Sequence, residues 1–103
     1  MKNAIDISTN HLSIVQEILQ RHLPQQATVW VFGSRAKGTA KKYSDLDLLI
    51  DLGKPISIKL MADLASDFEE CDLPYKVDIV DWAAISESFR ERINSERIAL
   101  PKQ

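Results

Sequence analysis

The stretch from Phe32 to Asp51, FGSRAKGTAKKYSDLDLLID, decides how this chain folds. It begins at the end of a predicted strand, residues 28–32, which consists only of β-branched and aromatic residues. Gly33 and Ser34 break that strand, and a small, polar and basic segment follows. A second strand is predicted for residues 45–52. Its aspartates occupy odd positions, whereas Leu46, Leu48 and Ile50 occupy even positions and therefore project from the opposite face.

Segments with apolar residues at helical spacing precede and follow these two strands in the chain. A helix is predicted for residues 9–23, with Ser8 or Thr9 as its N-cap, and others for residues 57–70 and 86–97. A third strand is predicted for residues 75–80. The order α-β-loop-β-α-β-α indicates an α/β layer in which helices cover the sheet.

Length and composition narrow the class of protein. The 103 residues, 45% hydrophobic and 27% charged, predict one globular domain over residues 1–103. A net charge of −2 disfavours binding to nucleic acid through phosphate neutralisation. The single cysteine, Cys71, fits a reducing compartment, and neither a membrane-length apolar run nor a signal-peptide core is found. We therefore expect a soluble cytoplasmic domain that binds neither nucleic acid nor membrane.

Gly33 and Ser34 are candidates for holding a phosphate. Glycine permits backbone conformations that turn amide groups toward an anion, and the Ser34 hydroxyl adds a donor. Gly38 follows four residues after Ser34, and positive charge comes from Arg35, Lys37, Lys41 and Lys42. The alternative is an ordinary structural turn, which a Gly-Ser pair after a strand forms more often than a phosphate site.

Three aspartates are candidates for holding a cation. Asp45 and Asp47 stand two positions apart, so in a strand they leave the same face with backbones about 7 Å apart. Asp78 lies within the apolar strand Val-Asp-Ile-Val and is a candidate third ligand from a neighbouring strand. Asp81 is expected to cap a turn, and Asp51 lies too far along its strand to join the same ion. The alternative is a solvated face of an edge strand.

Together the two features predict a site for a metal–nucleotide triphosphate. Carboxylates and phosphate oxygens are the ligands that Mg²⁺ prefers, and two-metal phosphoryl chemistry uses both.

The spacing of these residues resembles a known signature. Gly33-Ser34, ten intervening residues and then Asp45-x-Asp47 are similar to the motif of the DNA polymerase β-like nucleotidyltransferase superfamily, and in particular to its minimal MNT domains. The strand that contains Asp78 resembles the segment with that superfamily's third acidic residue. The resemblance implies the superfamily's fold, a small mixed β-sheet flanked by helices.

The resemblance also implies roles for the residues. Gly33 and Ser34 would hold the triphosphate of ATP, with Arg35 and Lys37 helping to neutralise it. Asp45, Asp47 and Asp78 would be both the catalytic residues and the ligands of two Mg²⁺ ions, with Asp78 helping to deprotonate the acceptor hydroxyl. A further residue, Ser44, would cap or orient the Asp45 segment.

Minimal members of this family commonly act with a HEPN-domain toxin. The resemblance therefore implies an antitoxin that transfers AMP from ATP to a tyrosine of that partner. Two alternatives stay open, namely a non-catalytic antitoxin that neutralises its partner by contact and a small-molecule nucleotidyltransferase that acts as an oligomer. Outside the site, we expect His11 and His22 to be surface residues, and the apolar tail around Ile98 to pack on the core or meet a partner.

Overall fold

A four-stranded mixed sheet organises the protein. The structure, a computed structural model, describes residues 4–102. Its elements are α1 (Thr9–His22), β1 (Thr28–Phe32), α2 (Ser34–Lys37), β2 (Leu46–Asp51), α3 (Ile58–Glu70), β3 (Val77–Asp81), a 3₁₀ turn (Trp82–Ala84), α4 (Glu87–Asn94) and β4 (Ile98–Ala99). The strands lie in the order β3-β2-β1-β4; β1 is antiparallel to β2 and β4, and β2 is parallel to β3. The predicted α/β class with a mixed sheet is confirmed.

Serine caps start the three longer helices. Ser8, Ser57 and Ser86 each accept, through the side-chain hydroxyl, the backbone N–H of the residue three positions further on. This contact satisfies one of the amide groups that a helix start leaves without an intrahelical partner. Of the two caps predicted for the first helix, Ser8 and Thr9, the structure shows Ser8. No helix within residues 4–102 combines the length and apolar character that crossing a bilayer requires.

The core lies mainly between one face of the sheet and helices α1 and α3. Leu46, Leu48 and Ile50 of β2 are fully buried there. They pack with buried residues from both helices and from β1, namely Val15, Ile18, Leu19, Val31, Leu64 and Phe68. Leu49, of the opposite parity, joins Phe32 and Ile93 in a smaller core beneath α4. Alternate β2 side chains therefore anchor the sheet on both faces, which leaves the aspartates on the α4 face.

The short helix α2, the 3₁₀ turn and strand β4 were not predicted from the sequence, and the last helix ends three residues earlier than predicted. The segment after Gly33 forms the short helix α2 rather than a loop. The last helix ends at Asn94 rather than at residue 97, because the chain turns and Ile98 pairs with Val31 as strand β4. The apolar tail thus packs on the core, one of the two outcomes expected for it.

Candidate functional site

Strand pairing brings two of the predicted aspartates together. In the register of the sheet, Asp47 pairs with Asp78 of β3 on one side and with Phe32 of β1 on the other. Paired residues of neighbouring strands project from the same face, so the two carboxylates share one side of the sheet. Asp45 immediately precedes β2 and has the parity of Asp47. All three predicted acidic residues therefore approach the same end of β2.

The electrostatics of Asp47 reflect this convergence. Burial, followed by the charges of Asp78, Asp45 and Glu96, raises the pKa of the Asp47 carboxyl to about 6, while Arg92 acts in the opposite direction. Desolvation and like charges both disfavour the ionised form of a carboxyl group. We call Asp45, Asp47, Asp78 and Glu96 the acidic cluster. Its charge density is what a cation or a cationic ligand would offset.

Gly33 joins the phosphate candidate to the acidic cluster. It has a φ of 76°, a left-handed conformation that side chains disfavour. A Cβ atom built on Gly33 would collide with the Asp47 carboxylate. Only glycine therefore lets the Gly33–Ser34 turn lie directly against the acidic cluster. This close approach brings the amide donors and the carboxylates to one place.

Glu96 is a residue of the site that sequence reasoning missed. Its Oε2 accepts the backbone N–H of Gly33 at 2.6 Å, although the two residues are 63 positions apart. Its Oε1 lies 4.0 Å from Nζ of Lys37. No spacing motif contains Glu96, because its position depends on the turn between α4 and β4. In the sequence it falls inside the helix predicted for residues 86–97, so no local signal pointed to the site.

Arg35 is placed differently from the expectation. Its side chain is buried, with 5% of the residue exposed. The guanidinium donates hydrogen bonds to four backbone carbonyls, those of Asp6, Lys41, Lys42 and Ser44, and stacks over the Tyr75 ring at 3.9 Å. These contacts fasten the loop before Asp45 to the N-terminal segment, and they occupy the donors that a phosphate would need. We therefore correct the expected phosphate role of Arg35 to a structural one.

Ser44 closes the turn that leads into Asp45. Its Oγ accepts the backbone N–H of Lys41 at 2.8 Å, and its own N–H donates to the Lys41 carbonyl at 3.1 Å. Lys41 and Lys42 are exposed on this loop. The serine thus orders the entry to β2 from within the loop, next to the carbonyl that Arg35 binds.

The other polar residues singled out in the sequence lie away from the cluster. Asp81 caps the 3₁₀ turn by accepting the N–H of Ala83, as expected, and also accepts the N–H of Ile56. The His22 ring lies 2.6 Å from the Asp67 carboxylate, and this hydrogen bond lowers the pKa of Asp67. His11 Nδ1 is 3.1 Å from the Tyr75 hydroxyl. Within residues 4–102, no group of three or more His, Cys, Asp or Glu side chains is arranged to hold a metal ion.

Comparison with known proteins agrees with the fold and the motif. The family described as "Polymerase beta, Nucleotidyltransferase" matches residues 14–103. A relative from Haemophilus influenzae, named "Probable protein adenylyltransferase MntA", is 46% identical over 96% of this chain and 86% of its own length.

Solved structures share the architecture at lower sequence identity. One, described as a toxin–antitoxin with AMP-PNP, has a TM-score of 0.74 and 21% identity over 89% of this chain and 73% of its own. Another, a tri-AMPylated HEPN toxin of Shewanella oneidensis in complex with MNT antitoxin, has a TM-score of 0.67 and 20% identity over 89% and 70%. The family match, the close relative and the shared fold confirm the resemblance seen in the sequence, and the chain belongs to the polymerase beta nucleotidyltransferase family.

Proposed function

We propose that this chain is a protein adenylyltransferase that transfers AMP from ATP to a tyrosine hydroxyl of a HEPN-domain partner and so acts as its antitoxin. The observation that carries the proposal is the contact of the Gly33–Ser34 turn with Asp47, which is itself paired with Asp78. This arrangement puts anion donors beside carboxylates, as transfer of a nucleotide requires. The relative that is 46% identical has the same activity in its name.

The turn would hold the triphosphate. The Gly33 amide and the Ser34 hydroxyl are donors of the kind that bind phosphate oxygens, and the exposed ammonium of Lys37 lies beside them. In the reaction, the acceptor oxygen attacks the α-phosphorus of ATP. The bond from that phosphorus to the bridging oxygen breaks, and pyrophosphate leaves. The acceptor hydroxyl loses its proton in the same reaction.

Asp78 is the group we propose as the proton acceptor. Its side chain is 43% exposed, so a hydroxyl presented by a second protein can reach it. Nζ of Lys76 lies 3.8 Å from its Oδ1, so a cation neighbours the carboxylate that would accept the proton.

The chemistry of the donors suits Mg²⁺, although within residues 4–102 they are not arranged as a formed metal site. Asp45, Asp47 and Asp78 provide the hard carboxylate oxygens that this cation prefers together with phosphate oxygens. Burial, followed by repulsion from Asp78 and Asp45, raises the pKa of Asp47, and a divalent cation would relieve that repulsion. When bound with ATP, Mg²⁺ would offset the charge of the triphosphate. We expect the reaction in the cytoplasm, where ATP and Mg²⁺ are plentiful, and we expect residues 1–103 to act as one domain.

The test is intact mass spectrometry of a candidate HEPN-domain partner from the same organism. That protein would be incubated with the chain, ATP and Mg²⁺, and in parallel with an Asp45→Asn/Asp47→Asn variant. We expect mass increments of AMP that the variant does not produce, and peptide mapping would locate them on a tyrosine. A stable complex without any increment would instead establish a non-catalytic antitoxin.

A further inference from the structure

The carboxylate of Glu96 sits on the donors of the Gly33–Ser34 turn. Its Oε2 accepts the Gly33 N–H at 2.6 Å, and its Oε1 lies 4.0 Å from the Lys37 ammonium. Only 11% of the Glu96 side chain is exposed. The carboxylate therefore binds one amide and one cation with its two oxygens, as a phosphate group on the same turn would.

The backbone around Glu96 holds the side chain in this position. The N–H groups of Glu96 and Arg97 both donate to the carbonyl of Ile93, which is fully buried. The Arg97 guanidinium lies 4.1 Å above the Trp30 ring, and the next residue, Ile98, pairs with β1. Because the flanking residues are anchored in the sheet and the smaller core, the side chain of Glu96 can move away only by its own rotation.

Without the Gly33 amide and the Lys37 ammonium, the position of the Glu96 carboxylate would be electrostatically unfavourable. It adds a fourth negative group beside Asp45, Asp47 and Asp78. Like charges at close range destabilise one another, so a carboxylate here needs compensation. The Gly33 amide and the Lys37 ammonium supply that compensation, and they are the groups that we assign to the triphosphate.

We propose that Glu96 is an internal occupant of the phosphate-binding turn, which the triphosphate of the nucleotide must displace. The inference rests on the proposed function in one respect, the assignment of the turn to triphosphate. One amide N–H makes one strong hydrogen bond, so carboxylate and phosphate compete for Gly33. Glu96 thus lowers the affinity for nucleotide, and its return to Gly33 favours departure of pyrophosphate.

The experiment compares Glu96→Gln with Glu91→Gln in the full chain. Both variants remove one negative charge, but Glu91 is exposed on α4 and its substitution reports only the change in net charge. Binding of ATP, and of inorganic tripolyphosphate as a base-free probe, would be measured by calorimetry. A hydrogen bond to a charged group is worth roughly a factor of ten or more in an equilibrium constant. We expect Glu96→Gln to bind both probes about tenfold more tightly than the wild type, with Glu91→Gln nearly unchanged.

Three further measurements separate competition from a merely structural role. A Glu96→Asp variant keeps the charge but withdraws the carboxylate by one methylene, so we expect it also to bind tripolyphosphate more tightly than the wild type. In the wild type, the Gly33 amide resonance is expected to shift when tripolyphosphate is added, as the carboxylate is replaced. In the transfer reaction, Glu96→Gln should lower the KM for ATP without raising kcat, because pyrophosphate leaves more slowly.

The outcomes distinguish this inference from the proposed function. Equal or weaker binding by Glu96→Gln than by Glu91→Gln would overturn the inference while AMP transfer by the wild type still stood. Tighter binding by Glu96→Gln without any AMP transfer by the wild type would support the inference and count against the enzyme activity. If neither probe bound the wild type or the variants, Glu96 would have nothing to compete with, and the inference would fall.

Discussion

Asp47 and Asp78 occupy paired positions of the parallel ladder between β2 and β3, so their carboxylates leave the same face of the sheet. A parallel pair requires a crossover connection, and α3 provides it on the opposite face. The helix thus covers the core side of the two strands and leaves the carboxylate side to α4 and the acidic cluster. The same connection that completes the core therefore creates the acidic cluster.

Substitution of Asp47 should separate stability from activity. We expect Asp47→Asn to abolish AMP transfer and to stabilise the metal-free protein at pH 8, because it removes a charge that burial and three neighbouring carboxylates disfavour. After allowance for partial exposure, the gain is about 1–2 kcal/mol, a rise in Tm of several degrees. Thermal unfolding in EDTA measures it.

The control for this prediction is Asp63→Asn on α3, outside the site. Asp63 forms an exposed ion pair with Lys59, so its loss should change the free energy of unfolding by well under about 1 kcal/mol. A marked fall in the Tm of Asp47→Asn without metal would contradict our description of the cluster.

The pH dependence of stability follows from the same carboxyl group. The pKa of Asp47 is raised from 3.8 to about 6 in the folded protein. Below pH 3.8 the Asp47 carboxyl is protonated in both the folded and the unfolded protein, and its contribution to the free energy of unfolding is most favourable. That contribution is lost as the pH rises toward and through about 6. We therefore expect Asp47→Asn and the wild type to converge in stability near pH 4 and to diverge above pH 6, measured by denaturant unfolding in EDTA. A constant difference across this range would refute the assignment.

The sequence predicted the parts of the site that local patterns encode. The parity of Asp45 and Asp47 follows from two-residue alternation, and Leu48 and Ile50 on the other parity identify the buried face. Glu96 could not be found in this way. Phe89 and Ile93 continue a helical pattern toward it, and only the pairing of Ile98 with β1 ends α4 and turns the carboxylate inward. Long-range packing, rather than local propensity, decides that turn.

Arg35 illustrates a second limit. Beside a Gly-Ser turn, an arginine is typical of phosphate binding, and nothing local distinguishes it from one that binds carbonyls. Its burial depends on where the loop of residues 38–45 and the N-terminal segment meet, because their carbonyls are its partners. That meeting is a property of the folded chain.

Gly33 should tolerate no side chain. We expect Gly33→Ala to abolish transfer, because the added methyl group would force Asp47 from its position in addition to straining the backbone. The matched control is Gly53→Ala, which has nearly the same φ, 78°, and open space around the added atom. Gly53→Ala should lose about 1–2 kcal/mol of stability from the left-handed conformation. Gly33→Ala should lose more, because the collision with Asp47 adds to its backbone strain; urea unfolding measures both. Only Gly33→Ala should lose activity; equal activities in the two would show that the contact with Asp47 is unimportant.

Replacement of Arg35 tests its corrected role. We expect Arg35→Lys to lower stability by about 2–4 kcal/mol, because an ammonium cannot reproduce the four carbonyl contacts or the stacking on Tyr75 and leaves a buried charge poorly paired. The loop before Asp45 should then become sensitive to limited proteolysis. Lys41→Ala, which removes an exposed cation from the same loop, should leave the Tm unchanged. If Arg35 instead bound phosphate, Arg35→Lys would keep the Tm and the protease resistance of the wild type and would weaken only the binding of ATP. Thermal unfolding, proteolysis and calorimetry on the same preparations decide between the two.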